Sequence, residues 1–181
     1  MTRYAIGETS IGYATNLSSN IVTNVTGDGW TWTHTGDAAT GSGTLTLTSA
    51  YIKGADDASG DSYGAKLPGG TTIVLNGDST IAGGTASYES CGISCEGTMT
   101  VEGTGSLSAV GGNGENSYGI ISTKLNISSG KLTTIGGTAS GSSYGVNSGT
   151  VTIGGSADMT AVGGTAGVTS YGVYTCFGVD D

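Results

Sequence analysis

The chain has 181 residues, enough for one domain, with 36 glycines, few aromatics and only 10% charged residues. Its net charge is −9, and its only basic residues are Arg3, Lys53, Lys66, Lys124 and Lys131. That excludes a nucleic-acid groove, which needs clustered Lys and Arg, and it disfavours anionic lipid surfaces; no apolar run approaches the roughly 20 residues of a membrane span.

The opening Met1-Thr2-Arg3-Tyr4 lacks the apolar stretch of a signal peptide, which reads the chain as an excised domain or mature fragment. Ile21-Val22-Thr23-Asn24-Val25 and Trp30-Thr31-Trp32-Thr33-His34 alternate as strands do. Residues 1–40 are therefore expected to form an N-terminal cap or entry coil, which solenoids need over their first open face.

From residue 41 to 181 the sequence repeats. Each unit begins with a β-like run: Thr44–Thr48, Thr72–Leu75, Met99–Val101, Leu125–Ile127 and Val151–Ile153. A polar turn follows, and then a second short run such as Leu107–Val110, Leu132–Ile135 or Met159–Val162. The run closes on a glycine pair, at Gly83-Gly84, Gly111-Gly112, Gly136-Gly137 and Gly163-Gly164. A small polar loop then leads to Ser-Tyr-Gly at 62–64, 117–119, 143–145 and 170–172, with Ser90-Cys91-Gly92 as the variant. The glycines at 64, 92, 119, 145 and 172 are 28, 27, 26 and 27 residues apart.

This spacing is the signature of a solenoid, in which each unit buries its apolar face only against its neighbours. Three short strands with glycine corners make one coil of a parallel β-helix. The reading is all-β: a right-handed parallel β-helix of about 26–28 residues per coil and about six coils. Leu45/Leu47, Ile73/Leu75, Met99/Val101, Leu125/Ile127 and Val151/Ile153 are expected to point inward. A helical fold fails because glycine is so frequent and costs about 1 kcal/mol per helix position relative to alanine. The last unit stops part-way, so further chain or another subunit is expected over that end.

The residues that carry this pattern resemble a known group. Gly29–Trp32, Gly43–Leu47, Leu67–Gly77, Cys91–Val101 and the two later units are similar to the glycine-rich repeat regions of large surface proteins of gut Firmicutes. More loosely, they resemble a clostridial carbohydrate-binding β-helix family. The resemblance covers roughly residues 29 to 175. It implies an extracellular module at a bacterial cell surface, adhesin-like, with glycan or polysaccharide and other domains of the same chain as partners. The carbohydrate-binding family uses acidic residues for calcium; no particular ligand here matches one of them.

Residue types supply the site expectations. Tyr63, Tyr118, Tyr144 and Tyr171 form a ladder that Cys91 interrupts. An exposed aromatic row suits the apolar faces of sugar rings; the other reading, favoured by the parity of the strand, stacks the rings inside a coil corner. Trp30 and Trp32 share a face and either close the cap or form a small sugar platform, the cap being favoured. The acidic loop Asp56-Asp57-Ala58-Ser59-Gly60-Asp61 is the candidate calcium site, through Asp56, Asp57 and Asp61, against a solvated loop; no other cofactor is implied. The outward threonines form a Thr-x-Thr array of the kind seen in ice-binding solenoids, broken by Val74, Lys124 and Asn126, and threonine simply favours strands. Cys91, Cys95 and Cys176 are expected to be buried and reduced, since four residues of straight strand span about 13 Å, beyond disulfide reach; a bend at Gly92 leaves a local Cys91–Cys95 bridge as the less favoured alternative.

Catalysis has little support. The acids within the coils are scattered, the single histidine is His34, and the only arginine is Arg3 in the leader. The expectation is a non-enzymatic surface module that binds glycan along a coil face. The alternatives are a purely structural spacer and, more weakly, a polysaccharide lyase.

Overall fold

The computed structural model describes residues 2–14, 19–21, 24–34 and 42–180. The rest of the expected cap, and the Val22-Thr23 part of its first strand, lie outside the described residues. Among the described residues, five strands form the N-terminal part: β1 (Thr2–Ile6), β2 (Thr9–Ala14), β3 (Ser19–Ile21), β4 (Asn24–Gly27) and β5 (Trp30–His34). The first coil runs through β6 (Gly43–Leu47), β7 (Tyr51–Lys53) and β8 (Ser62–Leu67). The second follows through β9 (Thr71–Leu75) and β10 (Asp78–Ala82) into β11 (Glu89–Gly103). Then come β12 (Ser106–Val110), the short β13 (Asn113–Gly114) and β14 (Asn116–Ile127). The last coils hold β15 (Lys131–Ile135), the short β16 (Thr138–Ala139), β17 (Ser142–Ile153), β18 (Asp158–Val162) and β19 (Thr169–Asp180).

Every pairing of the strands β6 to β19 with one another is parallel. The strands stack into a β-solenoid of about five turns. The sequence reading expects about six coils, one more than is seen, and leaves the alternating Trp30–His34 segment as either an entry coil or a cap. That segment runs antiparallel to β6, with Trp32 opposite Leu45 and Trp30 opposite Leu47. It adds a rung without advancing the solenoid. β1 does the same under another face, antiparallel to β8.

The coils have three faces. One carries residues 62–67, 89–95, 116–122, 142–148 and 169–175. The second carries 43–47, 71–75, 98–103, 124–127 and 150–153, and the third carries β7, β10, β12, β15 and β18. The strand alternation expected on the second face is met: Leu45, Leu47, Ile73, Leu75, Met99, Val101, Leu125, Ile127 and Val151 are buried, and Ile153 is partly buried. They meet the inward columns Ile52–Ile81–Ala109 of the third face and Ala65–Ile93–Ile120–Val146 of the first. Each fully buried Leu or Ile contributes about 1.5–3 kcal/mol, so the core is a continuous apolar rod whose strength grows with every coil.

Trp32 is fully buried and Trp30 nearly so. With Tyr4, Ile6 and Ile11 they belong to the same core and cover its first open end. Of the two readings of this pair, the cap is the one seen. A Cβ on Gly43 would overlap the Trp32 ring, so the small residue opposite the indole is a packing requirement. Tyr4 pins this cap to the solenoid, its hydroxyl donating to Glu96 Oε2 at 3.0 Å. Burial, helped by that carboxylate, raises the Tyr4 hydroxyl to about 12.

Candidate functional site

The Ser-Tyr-Gly unit places three kinds of column on one corner of the solenoid. The serines face inward. Ser90 Oγ donates to Gly84 O at 2.6 Å in its own coil and accepts from Gly112 N–H of the next at 3.0 Å. Ser117 donates to Gly112 O and accepts from Gly137 N–H, both at 2.9 Å. Ser143 repeats the pattern with Gly137 O at 2.9 Å and Gly164 N–H at 3.1 Å. Ser62 does so with Ala55 O and Gly84 N–H. Each hydroxyl thus satisfies a carbonyl in one coil and an amide in the next, the main requirement of a corner that is not in a sheet. The glycine pairs leave room for this. A Cβ on Gly111 or Gly136 would overlap the serine hydroxyl, and one on Gly112 or Gly137 would overlap the carbonyl of the coil below.

The tyrosines stand on the other side of the strand. Tyr63, Cys91, Tyr118, Tyr144 and Tyr171 occupy successive rungs of one column. The rings do stack: Tyr118 on Tyr144 with centroids 5.4 Å apart and planes 9° apart, and Tyr144 on Tyr171 at 6.0 Å and 21°. They lie outside the aliphatic core, however, and the corner-interior reading is corrected on that point. Period-two counting put Tyr63 on the face of Ala65, but Gly64 and Ala65 are both buried, so the alternation changes phase at the glycine. Exposure runs from 7% at Tyr118 to 48% at Tyr171. Cys91 is fully buried in the rung between Tyr63 and Tyr118, and burial pushes its thiol up. Cys95 is buried too, and both are free thiols. The Cys176 side chain lies outside the described residues.

Around Tyr63 the chemistry is denser. Its hydroxyl donates to Asp61 Oδ2 at 3.0 Å, and Lys66 Nζ lies 4.5 Å from the ring centroid. Burial raises the Tyr63 hydroxyl strongly, with Cys91 and Asp61 adding to it. Glu89 of the next coil is half-buried, and its carboxyl is raised by burial first and by Asp61 second. A groove of about 450 Å³ opens here, bounded by Arg3, Glu8, Asp57, Asp61, Tyr63 and Lys66. Tyr63, Asp57 and Asp61, three of the residues singled out in the sequence, therefore share one groove.

The acidic loop uses its carboxylates for its own hydrogen bonds. Asp56 Oδ1 accepts from Thr85 N–H at 2.7 Å and lies 3.6 Å from Lys53 Nζ; the amide, then the lysine, holds its carboxyl below the usual range. Asp57 Oδ1 accepts from Ser59 N–H and Oγ in an Asx turn, which lowers it as well. Asp61 Oδ1 accepts from Glu89 N–H at 3.1 Å. Among the described residues no three His, Cys, Asp or Glu side chains converge on one cation-sized point. The groups weighed for catalysis are also dispersed. His34 Nδ1–H donates to Ser42 O on the cap, Arg3 donates to Glu8 O, and Glu96 holds Tyr4.

A second cleft, of about 550 Å³, lies on the other side of the Gly7-Glu8 turn. Glu8, Asp28, Trp30, Tyr51, Lys53 and Asp56 line it. Sequence reasoning missed Tyr51, which is 72% exposed, because it stands in the first coil at a position where later coils carry Thr80, Ser108 and Thr133. It also missed the serine–glycine ladder. The signal was present, since a serine precedes every Tyr-Gly and Cys-Gly, but its partner lies a whole coil away. Compared with protein families, curated proteins and solved structures, the chain matches none of them.

Proposed function

We propose that this chain is a non-enzymatic, adhesin-like module of an extracellular bacterial surface protein: a stiff β-helical rod that displays neighbouring domains and contacts saccharide on its flank. The observation that supports it is the use made of the repeat. The serine hydroxyls, the stacked tyrosines and the aliphatic columns all join one coil to the next. The residues that recur thus build the rod, and two clefts lined by aromatic and charged side chains sit at the first coil and cap. A glycan array probed with the purified chain tests the reading. Retention of a defined set of saccharides is expected, with no release of unsaturated sugar from polyuronates in the presence of calcium. Turnover of such a substrate would replace this reading with a lyase.

The purely structural spacer has one specific observation in its favour. The ring faces of Tyr118 and Tyr144 cover each other at 5.4 Å, so the middle of the ladder offers no flat face to a sugar. A spacer retains nothing on the array and unfolds at high temperature in one cooperative transition.

A further inference from the structure

We propose that the cleft between the cap and the first coil is a binding site for a neutral pyranoside carrying free vicinal hydroxyls. The proposal deepens the saccharide reading above and moves it away from the tyrosine ladder. The cleft of about 550 Å³ falls in the range of small-ligand sites, with room for one or two sugar rings. Tyr51 stands 72% exposed on its rim and, unlike the ladder tyrosines, stacks on no other ring among the described residues. A free aromatic face matches the apolar C–H face of a pyranose.

The polar groups supply the rest. Glu8 and Asp28 line the cleft from two separate turns, and their carboxylates have no hydrogen-bond or ion-pair partner among the described residues. Such oxygens accept from paired sugar hydroxyls in charge-assisted hydrogen bonds. Lys53, the one cation lining the cleft among the described residues, is already paired with Asp56 at 3.6 Å. The remaining excess of negative charge disfavours uronic and sialic acids, because like charges across a contact cost affinity.

The structure also provides a reporter. The chain has two tryptophans; Trp30 lines the cleft and Trp32 is sealed in the core. Tryptophan emission is titrated with methyl hexosides and, separately, with glucuronate, on the wild-type chain, on Tyr51→Ala and on Asp28→Asn. The proposal expects a saturable emission change with at least one methyl hexoside and none with glucuronate. It expects at least about fivefold weaker binding in Tyr51→Ala, the scale of one aromatic contact, with an unchanged melting temperature because this side chain is exposed. Asp28→Asn weakens binding without abolishing it. No response to any methyl hexoside, an undiminished response in Tyr51→Ala, or equal binding of glucuronate overturns the site. The same variants on the glycan array separate the two ideas. Equal retention of wild type and Tyr51→Ala overturns the cleft while leaving a saccharide-binding module, whereas no retention of the wild type removes both.

Discussion

Replacing Ser117 with alanine removes one oxygen and changes no shape, yet it breaks two hydrogen bonds at once. Ser117 is fully buried, and its hydroxyl joins Gly112 O to Gly137 N–H at 2.9 Å on each side. Neither backbone group can turn to water, because the glycine column leaves no space between coils. An unsatisfied buried group costs about 1–3 kcal/mol, so the pair places the loss at about 2–6 kcal/mol. For a domain of this size that lowers the melting temperature by about 4–24 °C. The control is Ser170→Ala. That serine is exposed and makes a single bond of this kind, to Gly164 O at 2.8 Å, so its loss is expected below about 1 kcal/mol. Urea unfolding of both variants measures the difference, with m-values checked because repeat proteins can lose all-or-none behaviour. Amide exchange at Gly137 reports the local opening. If Ser117→Ala falls within about 0.5 kcal/mol of Ser170→Ala, the bridging role of the serine column is refuted.

Other outcomes follow from the same corner. Tyr144→Ala removes the ring held between Tyr118 and Tyr171; at about 0.5–1.5 kcal/mol per aromatic pair, urea unfolding should show a loss of about 1–3 kcal/mol, most of it restored by Tyr144→Phe. Glu89 is raised by burial and by Asp61, so the folded chain holds its proton more tightly than the unfolded chain and stability falls as pH climbs through that range. Glu89→Gln should therefore melt higher than wild type at pH 7, with the gap closing below the ordinary glutamate value of 4.5; a gap that widens in acid contradicts the sign. Cys91, buried between two rings with its thiol pushed up, should escape iodoacetamide in the folded chain and react only in denaturant, as peptide mapping would show. Rapid labelling of Cys91 in the native chain would mean the tyrosine column is open.

The fold was readable because its signals are local. Period-two alternation in Leu45/Leu47 and Met99/Val101, and glycine pairs at a steady interval, mark strands and corners without knowledge of neighbours. The glycines at 92, 119 and 145 do stand in one column, each so close to the carbonyl of the next that a Cβ would collide with it. What escaped the sequence depends on chain direction or on contacts between coils. Trp30–His34 alternates like any other strand, and nothing in its composition says that it runs antiparallel to β6. The phase change at Gly64 put Tyr63 on the wrong side, because a glycine can absorb a bend that period counting ignores. Tyr51 was passed over because the repeat drew attention to what recurs, while the cleft beside it is built from residues that occur once.

The account stands most directly on the vertical alignment of residues far apart in sequence. Thr44, Thr72, Thr100, Asn126 and Thr152 occupy successive rungs, so Thr44 and Thr152 are separated by four steps, or about 19 Å at the usual strand spacing. Pulsed electron spin resonance between labels at Thr44→Cys and Thr152→Cys, with Cys176 replaced by serine, measures that distance. A narrow distribution centred near 20 Å is expected once label length is allowed for. A broad distribution, or a centre beyond about 35 Å, would contradict the stacked coils and every column derived from them.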